Sequence, residues 1–167
     1  LLMRALMDVN VPKFLDQDIP LFAGIMTDLF PGLKKPDMDY GALLASMKNI
    51  IAQRNLQPHP WFIEKVIQLY EMIVVRHGLM VVGPTGGGKT ENITVLQETL
   101  GNLKKQKIKG FAYEKVIIYQ LNPKSITMGQ MYGAFDPNTR EWQDGIMSTM
   151  YRLASMSPTS DRKWMMF

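Results

Sequence analysis

Eight consecutive residues, Gly83, Pro84, Thr85, Gly86, Gly87, Gly88, Lys89 and Thr90, have the spacing G-x-x-x-x-G-K-[ST]. Each fixed position has a task in holding a phosphate chain. Glycines let the backbone turn its N–H groups inward where a side chain would clash with the anion. A helix beginning at the lysine places its positive end at the same anion. Lys89 reaches the β- and γ-phosphates, and the Thr90 hydroxyl is placed to ligate Mg²⁺. All eight residues are therefore expected to contact ATP (or ADP), with Thr90 also the metal ligand. The flanking sequence supplies the context this loop needs: the apolar run GLMVVG, expected to be a buried parallel strand, precedes it, and a helical pattern over 89–103 follows.

Hydrolysis would need more. A carboxylate at the end of a neighbouring apolar strand must hold the metal and its water, and a second acid must activate the attacking water. The acids after the loop are Glu91, Glu98, Glu114, Asp136, Glu141, Asp144 and Asp161, and none follows an apolar strand. Only KWMMF, 163–167, has the form of such a strand, and it closes the sequence. The simplest expectation is a chain cut just before its acidic residue, the alternative a natural protein without that acid; as given, the chain is expected to bind nucleotide weakly and not to hydrolyse it efficiently. No catalytic residue is assigned.

The elements around the loop fall into two groups. Before residue 55 the pattern is helical: LLMRALMDV, broken at Val11-Pro12; LFAGIMTDLF, opened by Asp18-Ile19-Pro20 and ended by Pro31-Gly32; and DYGALLASMKNIIAQRN after Pro36-Asp37, with Leu43, Leu44, Met47, Ile50 and Ile51 on one face. NLQPHP, 55–60, reads as a loop, and WFIEKVIQLYEMIVVRH as a fourth helix carrying Phe62, Val66, Leu69 and Ile73. Beyond the phosphate loop, KKQKIKG is expected to be a basic solvated connection and KVIIYQL a second strand. Residues 126–132 read as a short helix, GAF and REW as a hairpin around Asp136-Pro137-Asn138-Thr139, GIMSTMYRLASM as a helix capped by Asp144, and KWMMF as a third strand. Helices first and strand–helix units after give an α/β fold, a partial P-loop parallel sheet with flanking helices, preceded by a small all-helical piece.

Composition sets outer bounds. At 167 residues, 46% hydrophobic and 20% charged, the chain has the makings of an ordinary globular protein with one sizeable core, or one core plus a small appendage. Without cysteine it has no disulfide, thiolate metal site or thiol nucleophile. The formal charge of +4 is mild, and neither it nor the scattered Trp61, Trp142 and Trp164 argues for a nucleic-acid surface. No apolar run approaches the ~20 residues of a membrane span, and the polar Asp8 and Asn10 argue against a signal peptide at the start.

The segments LMRALMDVNVPKFL, DIPLFAGIMTDLFPG, EKVIQLYEMIVVRHGLMVVGPTGGGKT, LNPKSITMGQMYGAFDPNTREWQDGI and DRKWMMF together resemble the dynein heavy chain motor. The resemblance covers nearly the whole chain and is nearer to axonemal than to cytoplasmic heavy chains. Its most specific parts, LNPKSITMGQMYG and DPNTREWQDG, have no generic phosphate-loop meaning. It implies a ring of AAA+ modules that moves on microtubules through ATP binding and hydrolysis. Residues 1–55 would be the helical small (lid) domain of the first module. Residues 56–167 would be the front of the second module's large α/β domain, truncated at the Walker B strand. Such a second module holds ATP mainly for structural or regulatory ends. The implied partners are the other AAA+ modules and the linker of the same chain, and microtubules and dynein light or intermediate chains through the parent; the DPNT hairpin would face the linker, with an ordinary surface hairpin as the alternative. The implied location is the cytoplasmic cytoskeleton, in the axoneme of a cilium or flagellum. A P-loop ATPase of another family acting on nucleic acid is the alternative.

Other residues carry weaker expectations. Lys124 follows the second strand and is expected to be structural, with an approach to nucleotide or a neighbouring module as the alternative. His59 and His77 suit helix capping or packing better than catalysis or metal ligation. Leu56, Gln57 and Pro58 form a linker of the kind that lies over a nucleotide base. Lys104, Lys105, Lys107 and Lys109 read as a solvated run.

Overall fold

A computed structural model describes residues 2–33, 40–107 and 113–167. The chain forms two compact units, Leu1–Thr99 and Leu100–Phe167. The first is helical. It contains α1 (Leu2–Asn10), α2 (Ile19–Leu29), α3 (Gly41–Gln53), α4 (Pro60–Val75) and the beginning of α5 (Lys89–Lys105), with a 3₁₀ turn at Val11–Lys13 where Pro12 ends α1. The Pro36-Asp37 opening of the third helix lies outside the described residues.

The apolar faces read from the spacing are buried. Leu43, Met47, Ile50 and Ile51 of α3, Val66 and Tyr70 of α4, and Val95, Leu96 and Thr99 of α5 are buried, and Leu44, Phe62, Leu69 and Ile73 are half-buried beside them. Ser46 and Thr99 are the buried polar members, and the Thr99 hydroxyl donates to the Val95 carbonyl at 2.7 Å, so that donor is not stranded. Across the same unit the Tyr40 hydroxyl donates to Glu71 at 2.7 Å. His59 caps α4, its Nδ1 accepting from the Trp61 N–H at 3.3 Å, with Pro60 at the first helical position.

The second unit holds the strands. β1 (Val116–Gln120) and β4 (Arg162–Met166) pair in parallel, with Val116 opposite Arg162 and Gln120 opposite Met166. Between them come a 3₁₀ turn at Pro123–Ser125, α6 (Met128–Tyr132), the antiparallel pair β2 (Gly133–Phe135) and β3 (Trp142–Asp144), and α7 (Ile146–Met156). A Thr127–Gln130 capping box opens α6.

Four local expectations change. GLMVVG is not a buried strand: Met80 and Val82 are 89% and 87% exposed, Leu79 and Val81 37% each, and the run pairs with no strand among the described residues. A strand exists only through a neighbour's hydrogen bonds, so apolar composition alone does not make one. The hairpin's return strand is Trp142–Asp144, not REW. Asp136 Oδ1 accepts from the N–H groups of Asn138 and Thr139 at 2.8 and 3.0 Å, and Arg140 adopts φ 57°, so Arg140 and Glu141 are used up in the turn. Asp144 does not cap α7. Gly145 stands at that position without a side-chain bond, while the Asp144 carboxylate takes Trp142 Nε1 at 3.0 Å and pairs with Arg152. Finally, the lysine run is only partly a solvated connection. α5 continues through Lys105, and Lys104 pairs with Glu114 and donates to Ser160 at 3.2 Å; residues 108–110, Lys109 among them, lie outside the described residues.

Candidate phosphate-binding site

Residues 83–90 leave the extended apolar run and turn sharply into α5. Gly86 and Gly88 make the turn with φ of 79° and 78°, a left-handed geometry that a Cβ strains. Asn92 fixes the helix start: its N–H and its Nδ2 both donate to the Gly88 carbonyl at 2.9 Å. The result is a hollow of ≈ 350 Å³ lined by Thr85, Gly86, Gly87, Gly88, Lys89, Thr90 and Glu91.

Several donors among the residues that line this hollow have no protein acceptor among the described residues. The Gly87 N–H is taken by the Pro84 carbonyl at 3.1 Å. Those of Gly86, Gly88, Lys89 and Thr90 donate to no protein acceptor among the described residues. Lys89 folds back over the loop, its Nζ donating to the carbonyls of Gly83 at 2.8 Å and Pro84 at 2.7 Å. An ammonium has three N–H bonds, so one is left to point away from those carbonyls. The Thr90 hydroxyl likewise makes no hydrogen bond among the described residues, while its carbonyl accepts from Thr94 at 2.9 Å. The residues that line the hollow thus bring together unpaired amides, an ammonium and the positive end of a 17-residue helix. Such a donor set fits a polyphosphate, and the free hydroxyl fits a hard cation bound beside it.

The acids lie otherwise. Glu114 is held by Lys104, whose ammonium keeps its carboxyl below the usual range. Asp136 is lowered by the Thr139 and then the Asn138 N–H. Asp144 is paired with Arg152. Among the described residues no group of three His, Asp or Glu side chains forms a metal cage. Glu91 alone lines the hollow, and it is not free: Arg54 donates to its Oε2 from Nε at 3.1 Å and Nη2 at 2.9 Å, and to Glu98 Oε1 from Nη1 at 2.8 Å. Sequence reasoning missed Arg54. The signal was the spacing of Glu91 and Glu98, seven residues apart and so on one face of α5, which calls for a cation from elsewhere.

The remaining candidates are placed simply. Lys124 lies in the 3₁₀ turn of the second unit, its N–H bonded to Asn122 Oδ1 at 3.1 Å. Leu56 is half-buried, Gln57 and Pro58 are exposed, and the His59 N–H donates to the Gln57 carbonyl at 2.8 Å. His77 is exposed beyond the end of α4. No described helix is long and apolar enough to cross a membrane.

A small parallel sheet, flanking helices and a glycine-rich turn into a helix are together the parts of a partial AAA+ module, with a helical segment before it. Residues 1–90 match the family described as the hydrolytic ATP binding site of dynein motor region. The chain is 51% identical to dynein axonemal heavy chain 6 of Homo sapiens over 98% of its length, and 52% identical to dynein axonemal heavy chain 3 of Mus musculus over 100%. It is 51% identical to dynein axonemal heavy chain 1 of Homo sapiens over 99%. The chain spans about 4% of the length of each of these relatives. The chain belongs to the dynein motor family. The alternative of a nucleic-acid ATPase receives no support from these relatives.

Proposed function

We propose that residues 83–90 hold the phosphates of ATP or ADP in a dynein heavy chain of axonemal type, a microtubule motor driven by ATP binding and hydrolysis. Gly86, Gly88, Lys89 and Thr90 would offer their N–H groups to the phosphates, with Gly83, Pro84, Thr85 and Gly87 shaping the turn. The Lys89 ammonium would lie along the β- and γ-phosphates, and the Thr90 hydroxyl would ligate Mg²⁺. The metal, when bound, supplies charge shielding of the phosphate oxygens. The observation that carries this reading is that four residues lining one hollow, Lys89 among them, have amides without a protein acceptor among the described residues.

In this reading residues 1–55 are the small helical domain of one AAA+ module and residues 56–167 the front of the next module's large domain. The site serves mainly to hold nucleotide for structural or regulatory ends. Its partners are the other modules and the linker of the same chain, microtubules, and light or intermediate chains, in the axoneme of a cilium or flagellum. Support for the family reading comes from the axonemal relatives, and the boundary at residue 55 rests on the resemblance.

Amide hydrogen exchange across residues 83–92 of the full-length protein tests the site. Mg-ATP is expected to protect the Gly86, Gly88, Lys89 and Thr90 amides, and Thr90→Ala to remove the magnesium dependence of that protection. Exchange unchanged by saturating Mg-ATP would overturn the reading.

A further inference from the structure

Arg54 stands where α3 ends, and its place is fixed by the backbone. Asn55 adopts φ 56°, its N–H donates to the Ala52 carbonyl and that of Leu56 to the Ile51 carbonyl, both at 3.0 Å. This double bond pattern is a Schellman termination with asparagine in the left-handed position. From that fixed point the guanidinium reaches two acids on α5. Two of its N–H groups converge on Glu91 Oε2, and a third takes Glu98 Oε1. The three side chains are partly shielded, at 29%, 39% and 40% exposure, and the pairing raises the Arg54 pKa still further, chiefly through the Glu91 hydrogen bond.

Glu91 is the residue directly after Thr90, and it lines the phosphate hollow. A carboxylate in the first turn of a helix competes with a bound phosphate for the same positive helix end, and the two anions repel. We propose that Arg54 is a positioning residue that sets the anion affinity of the phosphate loop by holding the Glu91 carboxylate and neutralising its charge, with Glu98 as the second anchor. The inference rests on the nucleotide reading of the loop. It makes the end of α3, 29 or more residues before the motif, part of the nucleotide site.

The test measures Mg-ATP affinity in the full-length protein through exchange protection of residues 83–92. Arg54→Ala is expected to weaken binding about three- to tenfold, less at high salt because the released charge is screened. Arg54→Ala combined with Glu91→Gln is expected to restore affinity to within about twofold of the parent. Glu91→Gln alone breaks the same ion pair, leaves Arg54 on Glu98, and is expected not to weaken binding. If Arg54→Ala binds like the parent, if Glu91→Gln does not rescue it, or if Glu91→Gln alone weakens binding equally, charge masking is wrong while the nucleotide reading stands. A parent protein whose loop gains no protection from Mg-ATP would sink both.

Discussion

Removing the Lys89 ammonium separates the loop contacts the structure shows from the phosphate contact proposed for the same atom. In the free loop Nζ donates to the carbonyls of Gly83 and Pro84 at 2.8 and 2.7 Å, both on exposed residues. Water replaces those bonds in Lys89→Ala, so folding stability should fall by about 1 kcal/mol or less, a shift of roughly 3 °C or less for a domain of this size. With phosphate bound the same atom carries a full charge against an anion. At ~4 Å and an effective dielectric of ~20 that attraction is about 4 kcal/mol. Competition with water, together with the carbonyl bonds the lysine already makes, removes about half. That leaves about 2 kcal/mol, or about thirtyfold in Kd. Thermal unfolding without nucleotide gives the first quantity, and Mg-ATP titration followed at the 83–92 amides gives the second. A variant that loses more than about 10 °C in Tm would show Lys89 to be a structural clasp, since that exceeds any loss from two exposed bonds. An affinity within about twofold of the parent would refute the phosphate role outright.

Two further outcomes follow from the hairpin. A methyl group at Gly133, where φ is 127°, would stand 2.5 Å from the Trp142 ring and 2.7 Å from the Gln143 carbonyl. Gly133→Ala should therefore cost about 2 kcal/mol or more locally and speed tryptic cleavage after Arg140, and an unchanged cleavage rate would contradict the packing. The Asp136 carboxyl is lowered by the Thr139 and Asn138 N–H groups, so its stabilisation of the turn is present above the ordinary aspartate range and lost as pH falls through the lowered value. The amide resonances of Asn138 and Thr139 should titrate together below the normal aspartate midpoint, and Asp136→Asn should abolish that titration.

Helices and the glycine-rich turn at 83–90 were legible in the residues themselves. Pro12, Pro20 and Pro60 mark helix boundaries, and the Leu43, Met47, Ile50 and Ile51 stripe gave the buried face of α3. A helix closes its hydrogen bonds within four residues, so local spacing carries the information. The turn of residues 83–90 was readable for the same reason, because its glycines answer a local backbone demand at Gly86 and Gly88. Tertiary structure alone decided the rest. Whether GLMVVG became a strand depended on a neighbour for its N–H and C=O groups. The hairpin register is the exception: it was set locally, by Asp136 taking the Asn138 and Thr139 N–H groups and leaving the ladder to resume at Trp142. The cation beside Glu91 came from a residue 37 positions earlier, a separation that no periodicity encodes. Charge pairs and sheet ladders join distant parts of a chain, and only the folded arrangement brings those parts within reach.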